Sequence, residues 1–147
     1  MSRFLTSLQL EQLATDRWRL LAPLQYESDF LRCTITAPEG FVTDLLSVPR
    51  WLPFTYATLY GRANAPGVLH DLLYQTHRVI YRKIDRGEAD YVLWEAAGAL
   101  GPGIEAASWW DRQRLWAGVR IGGHGAWASG PSRLKILGWD RRHAPRP

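Results

Sequence analysis

The sequence has 147 residues and a net charge of +4, with 46% hydrophobic and 22% charged residues. This length and balance are typical of one globular domain and exclude a disordered chain. No apolar run approaches the roughly 18 residues that span a bilayer, and the first ten residues do not have the pattern of a signal peptide. A single cysteine, Cys33, excludes a disulfide framework and a thiolate zinc site.

Basic residues are concentrated toward the C-terminus, where residues 101–147 carry eight basic and three acidic groups. Such a segment could contact nucleic acid or an acidic protein surface, and a solvated arginine-rich face is the plainer alternative. The chain also contains eight tryptophans. Trp and Arg are enriched at protein–protein interfaces, so we expect some tryptophans to be exposed and to contact another protein.

The first forty residues have the alternation of polar and apolar residues that predicts strands. We predict strands over residues 3–10, 17–26 and 31–37, which together form a small antiparallel sheet. Residues 41–64 contain prolines that limit any helix to one or two turns, so an irregular crossover is predicted there. Because three strands are not stable alone, the helices that follow must cover one sheet face.

Three helices are predicted after the crossover. The first covers residues 64–78 with Asn64 as its cap, the second covers 86–100, and the third covers 104–121 and ends at Gly122-Gly123. Residues 126–147 are predicted to be a basic Gly/Pro/Arg tail, which leaves residues 1–125 as a single domain. The predicted fold class is α+β, with a Pro-rich crossover and three helices packed on one sheet face.

The residues most able to carry chemistry are His70, Tyr74 and Asp90. Tyr74 lies one helical turn after His70, and Asp90 lies near the start of the next, antiparallel helix. A carboxylate bound to one imidazole nitrogen leaves the other nitrogen as a base near neutral pH, which makes these three the catalytic candidates. The alternative is a satisfied structural network, since buried polar groups need partners.

Two further carboxylates, Asp44 and Asp71, are candidate metal ligands. With Asp90 they could offer hard oxygen atoms to Ca²⁺ or Mg²⁺, although Asp44 could also cap a turn. Ser47 as a nucleophile lacks the G-x-S-x-G elbow. The chain has no H-E-x-x-H, Walker or G-x-G-x-x-G motif, and Ca²⁺ is the one cofactor that we expect if the protein is an enzyme.

A larger pattern runs through these residues: G-F-x-T-D-x-x-S-x-P-R from Gly40, H-D-x-x-Y from His70, and A-D from Ala89. Over residues 3–125 it resembles an uncharacterised domain family encoded mainly by tailed bacteriophages and prophages. The resemblance implies a late phage protein, either a minor tail or baseplate-region component or a tail assembly factor. Its partners would be other phage structural proteins, and it would be made in the host cytoplasm and could end in the virion.

The helical hairpin alone is similar to the active-site hairpin of secreted phospholipases A2. That similarity implies His70 as the base that activates water, Asp71 as a Ca²⁺ ligand, and Asp90 as the residue that orients His70, with Tyr74 hydrogen-bonded to Asp90. These implied roles make a hydrolase of phospholipid or cell-wall substrates the alternative function. The chain departs from the phospholipase pattern in lacking the flanking cysteines and a glycine-rich calcium loop.

Overall fold

The computed structural model describes residues 1–45 and 61–136, and these residues form eight short strands and four helices. The strands are β1 Arg3–Phe4, β2 Leu10–Ala14, β3 Arg17–Leu20, β4 Leu24–Ser28, β5 Cys33–Ala37, β6 Val42–Thr43, β7 Arg78–Val79 and β8 Arg82–Lys83. The helices are α1 Asn64–Thr76, α2 Arg86–Ala97, α3 Trp109–Gly122 and α4 His124–Arg133. None of these helices is long and apolar enough to cross a membrane. The α+β prediction is confirmed.

The N-terminal strands form two small antiparallel sheets, where the sequence predicts one. The first sheet has the order β1–β4–β5 and the second has the order β2–β3–β6. The strand predicted over residues 17–26 is interrupted just before Pro23, whose nitrogen cannot donate to a ladder, so β3 and β4 join different sheets. The strand predicted over residues 3–10 is likewise divided between β1 and β2.

The core lies between the first sheet and the helices. Phe4, Tyr26 and Ile35 on β1, β4 and β5 are buried together with Val68 and Leu69 of α1. Helix α1 packs on β5 and α2 packs on β4, in agreement with the prediction that helices cover a sheet face. The predicted crossover lies mostly at residues 46–60, which are outside the described residues, as is Ser47.

Local structure corrects the predicted cap of α1 and the predicted ends of both helices, since α2 begins at Arg86 as predicted but ends at Ala97. Helix α1 begins at Asn64 without any side-chain cap, so the predicted capping role of Asn64 is wrong. The helix ends at Thr76 because His77 adopts a left-handed conformation with φ 53°. Helix α2 begins with a capping box, in which Asp85 and Glu88 each accept a backbone N–H of the other.

A fourth helix, α4, occupies residues that the sequence predicts to begin the tail. Helix α3 begins later than predicted, at Trp109, and ends at Gly122 as predicted. Only Gly123 separates it from the first residue of α4, His124. The predicted domain boundary at residue 125 therefore falls inside α4.

Helix α4 packs closely against α1 because a glycine allows the two backbones to approach and because His77, outside the helix, donates a hydrogen bond to a carbonyl of α4. A Cβ at Gly130 would lie 1.7 Å from the carbonyl oxygen of Tyr74, so only glycine allows this approach. Pro131 lacks the N–H that would bond the carbonyl of Trp127 inside the helix. The ring nitrogen Nε2 of His77 lies 2.9 Å from that carbonyl oxygen and supplies the missing donor.

A carboxylate on α2 ties this helix to the first sheet. Glu95 accepts hydrogen bonds from the hydroxyls of Tyr26, Ser28 and Ser2 at 3.0, 2.7 and 2.8 Å. It also accepts the backbone N–H of Phe30 at 2.9 Å. These four neutral donors fix the height of α2 above the sheet, and thereby the position of Asp90 on the same helix.

Candidate functional site

The carboxylate of Asp90 on α2 accepts hydrogen bonds from side chains of two other helices. It has no exposed surface. On α1, His70 Nε2 and Tyr74 Oη lie 2.8 and 2.6 Å from its Oδ1 atom. On α3, Arg120 Nη1 donates to its Oδ2 atom at 3.0 Å. Arg86, one turn before Asp90 on α2 itself, has its Nη1 atom 4.0 Å from the same oxygen. The structure therefore brings together the three residues that the sequence selects as catalytic candidates.

Helix geometry explains why these groups meet. The four-residue spacing on α1 brings the rings of His70 and Tyr74 to 4.0 Å between centroids. The connection through β7 and β8 is short, so α1 and α2 pack as neighbours and Asp90 faces α1. His77 lies past the end of α1, and its ring contacts the Trp127 carbonyl and not Asp90.

The contacts of Asp90 determine which groups carry protons. Burial alone would raise the pKa of Asp90, but the hydrogen bonds from His70, Tyr74 and Arg120 outweigh burial and hold the pKa below its ordinary value. A charged carboxylate only accepts hydrogen bonds, so His70 donates from Nε2, and Nδ1 of the neutral ring is unprotonated. Burial, with the hydrogen bond to Asp90, raises the pKa of Tyr74, which therefore stays a donor.

His70 also lines a cavity of about 90 Å³. The polar part of the lining comes from Asp44, His70, Asp71, Tyr74 and Arg133. The remaining walls are Leu45, three glycines of the α3–α4 region, Val119 and Ala126. This volume holds roughly three water molecules, which is enough for a water and a small reacting group beside the His70 ring.

Asp71 is the second acid in the cavity, and its environment is opposite to that of Asp90. Burial is the main effect that raises the pKa of Asp71, and the negative charge of Asp44 raises it further. Hydrogen bonds from Gln75 and Thr43 act against these effects, with Gln75 Nε2 2.8 Å from Asp71 Oδ1. Asp71 therefore holds a proton more readily than Asp90 does.

The three carboxylates do not meet as the metal hypothesis requires. Asp44 and Asp71 line the cavity, whereas Asp90 does not line it, and both of its oxygens accept hydrogen bonds from His70, Tyr74 and Arg120. Over residues 1–45 and 61–136, no group of three or more His, Cys, Asp or Glu side chains is arranged to hold a metal ion. A pair of ligands at Asp44 and Asp71 stays a prediction.

Sequence reasoning missed three arginines of the site. Arg86 lies one turn before Asp90 on α2, Arg120 donates to Asp90 from α3, and Arg133 lines the cavity from α4. Arg120 and Arg133 have no spacing relation to His70 or Asp90 along the chain, because their positions depend on how non-adjacent helices pack. The available signals are the four-residue spacing of Arg86 and Asp90, and the need of a fully buried carboxylate for a cationic partner.

The fold and the site define a small α+β domain built around a buried Asp–His–Tyr–Arg cluster that opens to a cavity. Residues 18–119 match the model of a family described as "Protein of unknown function (DUF1353)", and the chain belongs to that family. The prediction of an uncharacterised family is thereby confirmed. The match includes every predicted site residue and ends one residue before Arg120. No curated protein and no solved structure matches the chain significantly.

We expect Asp90→Asn to lower the free energy of unfolding by about 2–4 kcal/mol at neutral pH, because three buried donors lose a charged acceptor. The pKa of Asp90 is lower in the folded chain than its ordinary value of 3.8. Its charge therefore stabilises the fold above roughly pH 4, and that contribution is lost as the pH falls further. Urea unfolding across a pH series measures both effects.

The matched control is Asp71→Asn, since the raised pKa of Asp71 means that its charge opposes folding at neutral pH. We expect this variant to keep or gain stability there. The difference between wild type and Asp90→Asn should narrow as the solution becomes more acidic. A difference that is constant with pH would contradict the assignment of Asp90 as a charged acceptor.

Proposed function

We propose that the chain is a hydrolase in which His70 acts as the general base on a water molecule. The observation that carries the proposal is the pairing of His70 Nε2 with buried Asp90 at 2.8 Å while the same ring lines a cavity. With Nε2 occupied, Nδ1 is the ring nitrogen left to take a proton from water. Asp71, an acid with a raised pKa, shares that cavity.

The reaction follows from these contacts for an ester substrate. Nδ1 of His70 takes a proton from water, the water oxygen bonds to the carbonyl carbon of the ester, and the carbonyl π electrons move onto the carbonyl oxygen. The ring becomes an imidazolium, which the charge of Asp90 stabilises. When the carbonyl re-forms, the bond from carbon to the leaving oxygen breaks and the ring returns its proton to that oxygen, so that an acid and an alcohol leave. The substrate classes that we propose are phospholipids, through their acyl esters, and cell-wall polymers, where the same steps on a peptide amide would release an acid and an amine.

We expect His70→Gln to lower the hydrolytic rate by at least roughly a hundredfold, the smaller end of what a general base contributes. The glutamine amide can still donate to Asp90, so thermal unfolding should change little. Release of fatty acid from phospholipid vesicles, and of soluble fragments from purified cell walls, measures the rate. Each assay is run with Ca²⁺ and with a chelator.

The control variant is His124→Gln, because His124 is exposed at the first residue of α4 and lies outside the Asp90 cluster. It should retain the full rate. If the wild type hydrolyses neither substrate, or if His70→Gln retains the wild-type rate, the hydrolase proposal fails.

A second candidate is a phage structural role, in which the chain acts through protein–protein contacts in the tail or baseplate region. The observation that favours it is the exposure of Trp109, Trp110 and Trp116 on α3, of which 53%, 69% and 40% is accessible. Indole surface of this extent on one helix is typical of an interface with another protein. In this case the Asp90 cluster stabilises the domain and performs no reaction.

A mass-spectrometric inventory of purified phage particles tests the structural role. A fixed symmetric copy number, such as three or six per particle, is the expected result for a tail component. Absence from particles, with abundance in infected cells, would contradict a role in the virion.

A further inference from the structure

We infer that α4 is a hinged cover over the His70 cavity, and that it turns away from α1 to admit substrate. The role of this motion in admitting substrate rests on the proposed function, but the motion itself can be measured without any substrate.

Helix α4 forms one wall of the cavity. Ala126 and Arg133 belong to α4, while His70, Asp71 and Tyr74 lie opposite on α1. The cavity is open to solvent on one side, and its volume of about 90 Å³ admits water, whereas a phospholipid headgroup or a cell-wall sugar is several times larger. For either substrate to reach the His70 ring, the space beside the ring must widen.

The chain can turn at the junction of α3 and α4. Gly122 is the last residue of α3, and Gly123 is the one residue before α4. A Cβ at Gly123 would lie 2.4 Å from the hydroxyl oxygen of Tyr74, so glycine is also what allows α4 to close against the site. The far end stays attached, because the carbonyl of Lys135 accepts the backbone N–H of Val42 at 2.9 Å. The motion is a rotation of α4 with both ends held.

Little burial opposes this rotation. Gly130 is the one fully buried residue within α4, and Ala126 and Trp127 are partly buried against the core, whereas eleven residues of α1 are buried. An element with few buried apolar contacts separates from the domain at a low free-energy cost. Helix α4 is therefore the wall of the cavity that opens most readily among the described helices.

His77 holds the cover closed at the middle of α4. Its ring stacks on Trp127 with centroids 3.8 Å apart and planes inclined by 11°. Its Nε2 atom donates to the Trp127 carbonyl, which Pro131 leaves without a partner inside the helix. Trp127 also meets Tyr74 edge to face at 5.2 Å. One hydrogen bond and two ring contacts, one stacked and one edge to face, thus join Trp127 of the cover to His77 and Tyr74.

Two measurements on the intact protein test the cover. Hydrogen–deuterium exchange followed by mass spectrometry reports the opening of α4, and carbethoxylation by diethyl pyrocarbonate reports access to His70. We expect α4 to exchange faster than α1 and α2, and His70 to react more slowly than exposed His124. In His77→Ala, both α4 exchange and His70 labelling should rise by a factor of roughly three to ten, as expected for the loss of one hydrogen bond.

Two variants keep the test specific. His77→Gln, whose amide can still donate to the Trp127 carbonyl, should restore slow labelling in part. His124→Ala, which removes an exposed histidine from α4, should label at His70 as the wild type does. Exchange in α2 must be unchanged in every variant, which separates opening of α4 from global loss of stability.

The inference is overturned if α4 exchanges no faster than α1, if His70 of the wild type labels as fast as His124, or if His77→Ala leaves both readouts unchanged. None of these outcomes depends on catalysis. A chain that opens as described but hydrolyses nothing would remove the proposed function and leave the cover in place. A chain that hydrolyses substrate while His70 is already accessible would support the proposed function and remove the cover.

Discussion

The structure depends on a charged carboxylate that has no contact with water. Asp90 is fully buried, and removing a carboxylate from water costs several kcal/mol unless donors replace the lost hydration. His70, Tyr74 and Arg120 replace it from α1 and α3. Because these donors must converge on two oxygen atoms, the relative positions of the three helices are constrained. The same constraint fixes the orientation of the His70 imidazole, which lines the cavity.

A comparison with Glu95 shows why the Asp90 cluster is the functional candidate. Both carboxylates lie on α2, and both accept several hydrogen bonds. The donors of Glu95 are neutral hydroxyls and a backbone N–H from the sheet side. The Glu95 cluster therefore joins α2 to the first sheet. The donors of Asp90 include a histidine beside a cavity that also contains Asp71, whose pKa is raised. Groups with opposite pKa shifts in one site are a common arrangement for proton transfer.

The sequence predicts the helical hairpin and its polar residues because the relevant information is local. Four-residue spacing places Tyr74 beside His70, and a short connection between α1 and α2 brings Asp90 to both. Arg120 and α4 could not be predicted in this way, since their places depend on packing between helices distant in the chain. The composition of α4 is misleading as well. Gly130 and Pro131 read as helix breakers, but close packing against α1 needs the glycine, and His77 supplies the hydrogen bond that the proline removes.

The most direct test of the Asp90 constraint is the tautomer of His70, read from nitrogen NMR spectra of the labelled imidazole at a pH where the ring is neutral. A charged Asp90 requires the proton on Nε2, with Nδ1 unprotonated toward the cavity, and this is the result that we expect. A proton on Nδ1 would contradict the account, because Nε2 would then be a bare acceptor facing Asp90. In that case Asp90 could be neither the charged centre of the cluster nor the group that prepares His70 as a base.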